Sequence, residues 1–246
     1  MKRPDEIDKI RGANRIVACI LEELKGMVRP GLTTKELDEF VEERIRRQGG
    51  EPAFLGYRGY PASTCISINE QVVHGIPGAR RIREGDIVSV DIGALYRGYY
   101  GDAAYTYPVG RVGHKAMTLL KVTEEALYKG IEAARVGNRL YDISRAIQGW
   151  VERHGFSVVR DFVGHGVGRS LHEDPQVPNY VPKSPINPVL EPGMVLALEP
   201  MVNAGGYQVK VLPDGWTAVT ADGSLSAHFE HSIAITENGP EILSVC

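Results

Sequence analysis

The sequence predicts an α+β domain made of two similar halves, and the order of its elements supports that prediction. Helix-periodic segments come in two consecutive pairs, and each pair is followed by short β-rich strands and a longer antiparallel hairpin. A helix pair beside an antiparallel sheet buries one face of every element. No clear sequence repeat accompanies the repeated order, and no linker separates two cores. We therefore expect residues 1–246 to form a single domain.

Apolar residues at three- to four-residue spacing predict two helices in the first half of the chain. The first, residues 5–28, has Pro4 at its first turn and ends before Pro30-Gly31. The second begins at Thr33, whose hydroxyl can form a capping box with Glu36. A pair of glycines ends it.

The same spacing predicts a second helix pair, at residues 115–134 and 141–154, separated by Gly137-Asn138. A proline-rich linker is expected at residues 175–192. Short β-rich segments bounded by Pro-Gly and Asp-Gly turns predict the remaining strands. These strands are Thr64–Ile68, Gln71–Val73, Val158-Val159, Met194–Leu198, Gln208–Val211, Thr217–Thr220 and His228–Ile235.

The longest hairpin places two aspartates in otherwise apolar, β-rich strands. Its arms are predicted at residues 87–95 and 99–107. If the turn is centred between residues 96 and 97, Asp91 and Asp102 face each other on the same side of the sheet. Like charges facing each other destabilise a sheet unless something neutralises them. The pair is therefore either two exposed acids at strand ends or a site for a cation.

Composition and charge exclude several classes of function. The net charge is −3, with 43% apolar and 24% charged residues, so no overall field favours nucleic acid or a membrane. The N-terminus is charged and has no signal-peptide core, and no apolar run is long enough to span a membrane. We therefore expect a cytoplasmic protein with no DNA or membrane partner.

Cysteines and basic clusters carry little functional information. Cys19, Cys65 and Cys246 are widely spaced, so the sequence suggests neither a zinc finger nor a disulfide framework. Two arginine clusters, at residues 44–47 and 80–83, are interpreted as solvated surface. Contact with a polyanion such as ribosomal RNA is the alternative interpretation.

Four further positions carry polar groups that a purely structural role does not require: His165, His172, Glu199 and Glu230. His165 lies in Gly-His-Gly-Val-Gly, which does not match a phosphate-binding loop, so nucleotide binding is excluded. A histidine between glycines is either a hydrogen-bonded surface group or a metal ligand. Glu199 ends an apolar strand, where an edge charge reaching solvent is the alternative. Strand alternation puts His228 and Glu230 on one face and His231 on the other.

Together these residues predict a centre with two metal ions. Four carboxylates, of Asp91, Asp102, Glu199 and Glu230, would be very unfavourable when buried without a nearby cation. Two divalent ions balance their charge, and His165 adds one neutral nitrogen. Mostly oxygen ligands with one imidazole suit Mn²⁺, Fe²⁺, Co²⁺ or Zn²⁺ without selecting among them.

This ordered set resembles that of type I, bacterial-type methionine aminopeptidases, which have the pita-bread fold. The flanking segments agree over nearly the whole chain: Ser67-Ile68-Asn69-Glu70, Val73-His74-Gly75, Val90-Asp91-Ile92-Gly93, Gly101-Asp102, Gly164-His165-Gly166, His172-Glu173, Leu198-Glu199-Pro200-Met201 and Glu230-His231. The resemblance implies two pseudo-symmetric halves of antiparallel sheet with helix pairs outside. It also implies removal of the N-terminal methionine from newly made proteins when the second residue is small.

The resemblance implies a role for each candidate ligand. Asp91 would hold one metal with both oxygens, His165 and Glu199 would hold the other, and Asp102 and Glu230 would bridge the two. Glu199 would also carry a proton from the attacking water to the leaving amine.

The resemblance implies that His74 and His172 align the peptide and stabilise the oxyanion. The implied methionine pocket has Phe54 and Leu171 at two further wall positions, where some relatives carry a cysteine and an aromatic residue. These departures leave the depth of the pocket open. The remaining wall positions are Tyr57, Tyr60, Cys65 and Trp216.

Two alternatives stay open. Xaa-Pro peptidases share the fold and a similar metal set but usually carry an extra N-terminal domain, which this sequence lacks. A non-catalytic pita-bread binding protein would have lost metal ligands, whereas all five are present here. The implied partners are N-terminal methionine peptides and nascent chains, with a transient ribosome contact, and the protein is expected to be a monomer.

Overall fold

The computed structural model describes residues 1–246 and confirms the predicted α+β class. Four helices cover antiparallel sheets: α1 Pro4–Leu24, α2 Thr34–Arg47, α3 His114–Ala133 and α4 Leu140–Arg153. Thr33 caps α2 as predicted, because its hydroxyl accepts the Glu36 amide at 3.1 Å and the Glu36 carboxylate accepts the Thr33 amide. The largest difference from prediction is the end of α1, which stops at Leu24. None of these helices combines the length and apolarity needed to cross a membrane.

The strands are short except for the first hairpin and are numbered along the chain. They are β1 Glu51–Pro52, β2 Thr64–Ile68, β3 Gln71–Val73, β4 Ile87–Tyr96, β5 Tyr99–Pro108, β6 Ser157–Val158, β7 Gly164–Gly166, β8 Glu173–Val177, β9 Val195–Leu198, β10 Met201–Asn203, β11 Val209–Val211, β12 Ala218–Thr220, β13 Ser226–His228, β14 Glu230–Thr236 and β15 Gly239–Ile242. The prediction missed β1, β7, β10 and β15, and β8 enters the segment predicted as a linker. The predicted strand 228–235 is interrupted at Phe229.

The main sheet has nine strands in the order β1-β4-β5-β14-β9-β7-β8, with β2 beside β4 and β15 beside β14. One large apolar cluster lies between α1, α2 and the first half of this sheet. A second lies under α3 and α4 in the other half. The two clusters agree with the predicted division into halves with helix pairs outside, whereas a single domain over residues 1–246 stays a prediction.

The predicted register of the β4–β5 hairpin is wrong by two residues. The turn is Arg97-Gly98, at φ 51° and 78°, because a two-residue turn with positive φ matches the twist of paired strands. Asp102 therefore lies opposite Gly93, and Asp91 lies opposite Ala104. A shift of two residues preserves the alternation of side chains, so both aspartates still face the same side of the sheet.

Cys19 and Cys246 form a disulfide, which corrects the expectation that the cysteines suggest no such bond. The two residues are 227 positions apart, and their Cα atoms approach to 4.8 Å only because α1 packs beside the C-terminus. Cys65 is free and buried. The same C-terminal segment places the Ser244 hydroxyl 2.7 Å from Nδ1 of His231.

Helix α1 lies directly on β5 because Gly101 has no side chain. A Cβ at Gly101 would lie 2.4 Å from the backbone nitrogen of Asn14. The Asn14 side chain uses this approach, since its oxygen accepts the amide of Asp102 at 3.2 Å and its nitrogen donates to Ile10. The helix thus holds the backbone next to one of the candidate metal ligands.

Replacing Gly101 by alanine should therefore displace α1 and destabilise the fold by about 1–3 kcal/mol, the usual range for overpacking. Gly149→Ala is the control, because nothing lies within 4 Å of its added Cβ in helix α4. That control should be neutral or stabilising by up to about 1 kcal/mol. Urea unfolding measures both changes, and equal stability of the two variants would contradict the close contact.

Candidate metal centre and substrate pocket

One cavity gathers the candidate functional residues. Of the 14 residues that line it, all except Arg58 were singled out by the sequence analysis. They comprise the five candidate metal ligands, the two histidines His74 and His172, and six side chains of the implied methionine pocket. Residues from both halves of the chain meet here, so the cavity lies where the halves join.

Five adjacent strands each bring one candidate ligand. In the spatial order β4-β5-β14-β9-β7, the ligands are Asp91, Asp102, Glu230, Glu199 and His165. Neighbouring strands are about 4.8 Å apart, so side chains on adjacent strands can meet on one face of the sheet, and all five line the same cavity. The sheet therefore orders the donors differently from the chain.

Imidazole and carboxylate atoms surround a small space without bonding to one another. Nε2 of His165 lies 3.7 Å from Oδ2 of Asp102 and 3.6 Å from Oε1 of Glu199. Donor atoms of Asp102, His165 and Glu230 lie within 4.8 Å of one another. Ligands about 2.1 Å from a shared ion are separated by roughly 3–4 Å, so the spacing fits donors around a cation.

The glycines on both sides of His165 let strand β7 lie close to the neighbouring backbone. A Cβ at Gly164 would lie 2.4 Å from the Ala197 carbonyl oxygen, and one at Gly166 would lie 2.4 Å from that of Asp174. Nδ1 of His165 lies 2.9 Å from the Gly166 carbonyl oxygen and donates to it. The proton on Nδ1 leaves Nε2 with a lone pair directed at the carboxylates.

The carboxylates form an uncompensated cluster of negative charge. Burial raises the pKa of Asp91 to about 7. Burial, together with neighbouring carboxylates, raises the pKa values of Asp102, Glu199 and Glu230 well above their usual range. Their ionic neighbours are histidines, and no lysine or arginine pairs with them.

Three of these carboxylates also leave buried oxygens without a hydrogen bond: Oδ1 of Asp91, Oδ1 of Asp102 and Oε1 of Glu230. Unpaired buried acceptors are strongly disfavoured unless another group satisfies them. Divalent cations satisfy both the unpaired oxygens and the charge, so the residues present fit the metal centre that the sequence predicts.

His74 and His172 flank the ligand cluster as neutral rings. Nδ1 of His172 lies 2.9 Å from the Tyr57 hydroxyl, and the two rings stack at 5.3 Å. Burial, together with the nearby His165, lowers the pKa of His172 to about 3. Burial also lowers the pKa of His74, whose ring meets Trp216 edge-on. Each neutral ring can still donate one N–H into the cavity.

Beside the metal centre the cavity has an apolar end. Cys65 pairs with Asp91 across β2 and β4, so the apolar end begins one strand away from a candidate ligand. The Tyr60 hydroxyl lies 2.9 Å from the Thr64 carbonyl oxygen, which fixes the ring. The apolar walls are Phe54, Tyr57, Tyr60, Cys65, Leu171 and Trp216.

Phe54 fits in this wall because residue 93 is glycine. A Cβ at Gly93 would lie 2.5 Å from the Phe54 ring, which is 8% exposed. The bulky side chain at position 54 and the missing side chain at position 93 thus form one packing unit. In the sequence Phe54 stands as a separate departure from the family, and no local pattern connects it with Gly93.

Two residues at this site, Arg58 and His228, have no role predicted from the sequence. Arg58 lines the cavity mouth at φ 51°, and its guanidinium lies 5.4 Å from the centre of the Tyr57 ring. His228 is 2% exposed, and its Nε2 lies 3.7 Å from Oε2 of Glu199. The alternation in Ala-His-Phe-Glu-His was the available signal, and it correctly separated His228 from His231.

Comparison with known proteins agrees with the fold and with a metal-dependent peptidase. The model of metallopeptidase family M24 matches residues 8–237. Methionine aminopeptidase 1 of Bacillus subtilis is 57% identical over 243 residues, covering 99% of this chain and 98% of its own length. A crystal structure of methionine aminopeptidase from Thermotoga maritima matches with TM-score 0.96 and 52% identity, over 100% and 98% of the two chains.

Prolidase from Pyrococcus furiosus has the same fold at lower similarity. Its TM-score is 0.81 at 26% identity, and the match covers 100% of this chain but 65% of the prolidase. Together these likenesses confirm the predicted pita-bread architecture, with two halves of antiparallel sheet and helix pairs outside.

The raised carboxyl pKa values predict how the metal-free protein responds to Asp102→Asn. An acid whose pKa is raised by folding destabilises the folded state increasingly as pH rises above its unfolded value near 4. With metal removed by a chelator, the variant should be more stable than the wild type at pH 8. The difference in free energy of unfolding between variant and wild type should decrease toward pH 5, by up to about 1.4 kcal/mol for each pH unit.

The quantity to measure is the difference in free energy of unfolding between variant and wild type. The buried histidines stabilise the fold more as pH rises, but both proteins contain them, so their contribution cancels in this difference. Divalent ions should stabilise the wild type far more than the variant at pH 8. Denaturant unfolding with and without Mn²⁺ gives both values. A variant less stable than the metal-free wild type at pH 8 would show that Asp102 is not under electrostatic strain.

Proposed function

The chain belongs to metallopeptidase family M24, and we propose that it removes the N-terminal methionine from newly made proteins whose second residue is small. It is a methionine aminopeptidase, with full-length identity to such enzymes of 45–57%. The observation that carries the proposal is the joint cavity, in which five metal-binding side chains lie directly beside an apolar pocket.

We assign two divalent ions to the five ligands. Asp91 would hold one ion, His165 and Glu199 the other, and Asp102 and Glu230 would lie between them. When bound, the ions polarise the scissile carbonyl and lower the pKa of the attacking water. Mn²⁺, Fe²⁺, Co²⁺ and Zn²⁺ all suit this donor set.

Glu199 is assigned the proton transfer. Its carboxylate reaches the cavity from the end of β9 and can accept a proton from water and pass it to the leaving amine. His74 and His172 are assigned to the carbonyl oxygen, on which negative charge develops during attack. We assign the Tyr57 hydroxyl as the donor to Nδ1 of His172, 2.9 Å away, which places the ring proton on Nε2 so that Nε2 can donate.

The apolar end of the cavity is assigned to the methionine side chain. Aromatic edges of Tyr60 and Trp216 and the thiol of Cys65 suit a thioether, which is polarizable and unbranched. Phe54 and Leu171 narrow this end, which favours an unbranched side chain over a bulky one. A small second residue would then fit the space between the pocket and the cavity mouth near Arg58.

Cytoplasmic nascent chains are the proposed substrates, met by a monomer in transient contact with the ribosome. Arg44, Arg46 and Arg47 each pair with a glutamate, whereas in the cluster at residues 80–83 only Arg80 does. The cluster at residues 80–83 is therefore the better candidate for RNA. Disulfides are rare in the reducing cytosol, so the Cys19–Cys246 bond is the feature of this structure least typical of a cytoplasmic protein.

The proposed function predicts different cleavage rates for two peptides. Met-Ala-Ser should release its first residue at least about 100-fold faster than Ala-Pro-Ser, because only methionine fills the apolar end. Chromatography of the products with Mn²⁺ or Co²⁺ supplied under anaerobic conditions measures both rates. Faster cleavage of Ala-Pro-Ser would favour an Xaa-Pro peptidase, and no metal-dependent release from either peptide would favour a binding protein.

The proposed function also predicts the effect of His74→Ala. The change should lower kcat about 100-fold by removing a donor to the developing oxyanion, while metal content stays at the wild-type value. His114→Ala, at the exposed start of α3, is the control and should leave both quantities unchanged. Metal analysis by mass spectrometry accompanies the kinetics, and loss of metal from the His74 variant would contradict its assignment as a substrate-binding group.

A further inference from the structure

His228 is a buried histidine at the metal centre that the ligand set does not use. Its side chain is 2% exposed, and its Nε2 has no hydrogen-bond partner. That atom lies 3.7 Å from Oε2 of Glu199 and 4.0 Å from Oε2 of Glu230. A buried ring nitrogen aimed at two carboxylates and bonded to neither requires an explanation.

Glu199 lies between two imidazoles, and each ring faces a different oxygen. Oε1 is 3.6 Å from Nε2 of His165, and Oε2 is 3.7 Å from Nε2 of His228. If Oε1 binds an ion together with His165, Oε2 remains directed at His228. The rotation of the carboxylate therefore depends on what His228 offers to that second oxygen.

The backbone of His228 is held rigidly. Its amide donates to Oγ1 of Thr106 at 3.0 Å, and the Thr106 hydroxyl donates to its carbonyl oxygen at 2.6 Å. On the other side it pairs with Met201, two residues beyond Glu199, across β13 and β10. Because the backbone is tied on both sides, the ring has a fixed base from which to orient a neighbour.

His228 and His165 face different oxygens of Glu199. Donor atoms of Asp102, His165 and Glu230 lie within 4.8 Å of one another. Glu199 approaches this group through Oε1, which lies 3.6 Å from Nε2 of His165, whereas Nε2 of His228 lies 3.7 Å from Oε2. A nitrogen beside that second oxygen is better suited to hold a ligand than to act as one.

We propose that His228 is a positioning residue: its Nε2–H donates to Oε2 of Glu199 and keeps Oε1 directed at the ion shared with His165. The inference rests on the proposed metal centre and names a residue that the five-ligand set leaves out. Outer hydrogen bonds of this kind orient ligating carboxylates, and their loss typically lowers metal affinity about 10- to 100-fold.

Protonation of the ring in the Zn²⁺-loaded protein is the direct test. Long-range ¹H–¹⁵N NMR with histidine labelling reports which ring nitrogen carries the proton. The proposal expects a proton on Nε2 of His228 and none on Nε2 of His165. An unprotonated Nε2 on His228 would overturn it, because a ring nitrogen without a proton cannot donate to Glu199.

Two variants provide an independent test. His228→Leu removes the donor and should weaken Co²⁺ binding about 10- to 100-fold and lower kcat with little change in KM. His228→Gln keeps an N–H of similar reach and should restore affinity to within several-fold, with the visible Co²⁺ spectrum of the wild type. Unchanged affinity in the leucine variant, or a glutamine variant with an altered spectrum, would overturn the proposal.

His154→Leu, on an exposed ring at the end of α4, is the control for losing a histidine. Circular dichroism of the metal-free proteins establishes that each variant folds, and the NMR result stands even if the leucine variant does not. Metal affinity and spectra do not depend on which peptide is cleaved. A protein that binds Co²⁺ as described but releases no methionine would therefore refute the proposed function and leave the role of His228 intact.

Discussion

Four carboxylates buried together without a lysine or arginine are the constraint on which the rest of this structure depends. Burial and mutual repulsion raise the carboxyl pKa values, and three of the carboxylates leave an oxygen without a hydrogen bond. A fold can keep such a cluster only if the strands that carry it are held firmly and cations can bind. Five adjacent strands of one sheet meet the first condition, and the ligand spacing around His165 meets the second.

Missing side chains make this arrangement sterically possible. Gly101 lets α1 lie on β5 so that Asn14 can hold the Asp102 amide, and Gly164 and Gly166 let the His165 strand pass between neighbouring carbonyls. Gly93 leaves room for Phe54 in the wall of the apolar pocket. Close contacts of this kind explain why glycines lie within two residues of Asp91, Asp102 and His165, although none of these glycines takes part in chemistry.

The candidate metal ligands and the apolar pocket share one cavity because the two halves of the chain contribute different parts of it. The first half supplies the hairpin aspartates and most of the apolar wall, and the second supplies His165, Glu199, Glu230 and Trp216. The C-terminus supports the centre from behind, since Ser244 bonds to His231, the neighbour of Glu230, and Cys246 is tied to α1. The candidate ligands, the apolar pocket and the C-terminal bonds to His231 and α1 are therefore connected through the main sheet.

Local rules made much of this structure predictable from the sequence alone. Periodicity and the Thr33–Glu36 capping box indicated the helices, and strand alternation placed Asp91 with Asp102, and His228 with Glu230, because parity survives a two-residue error in register. The spatial order of the ligands was decided only by tertiary structure, as were the Arg97-Gly98 turn and the Cys19–Cys246 bond. The packing of Phe54 on Gly93 and the approach of His228 to Glu199 were decided in the same way. These features depend on which distant segments become neighbours, and that is set by packing of the whole sheet and its helices, which no local pattern encodes.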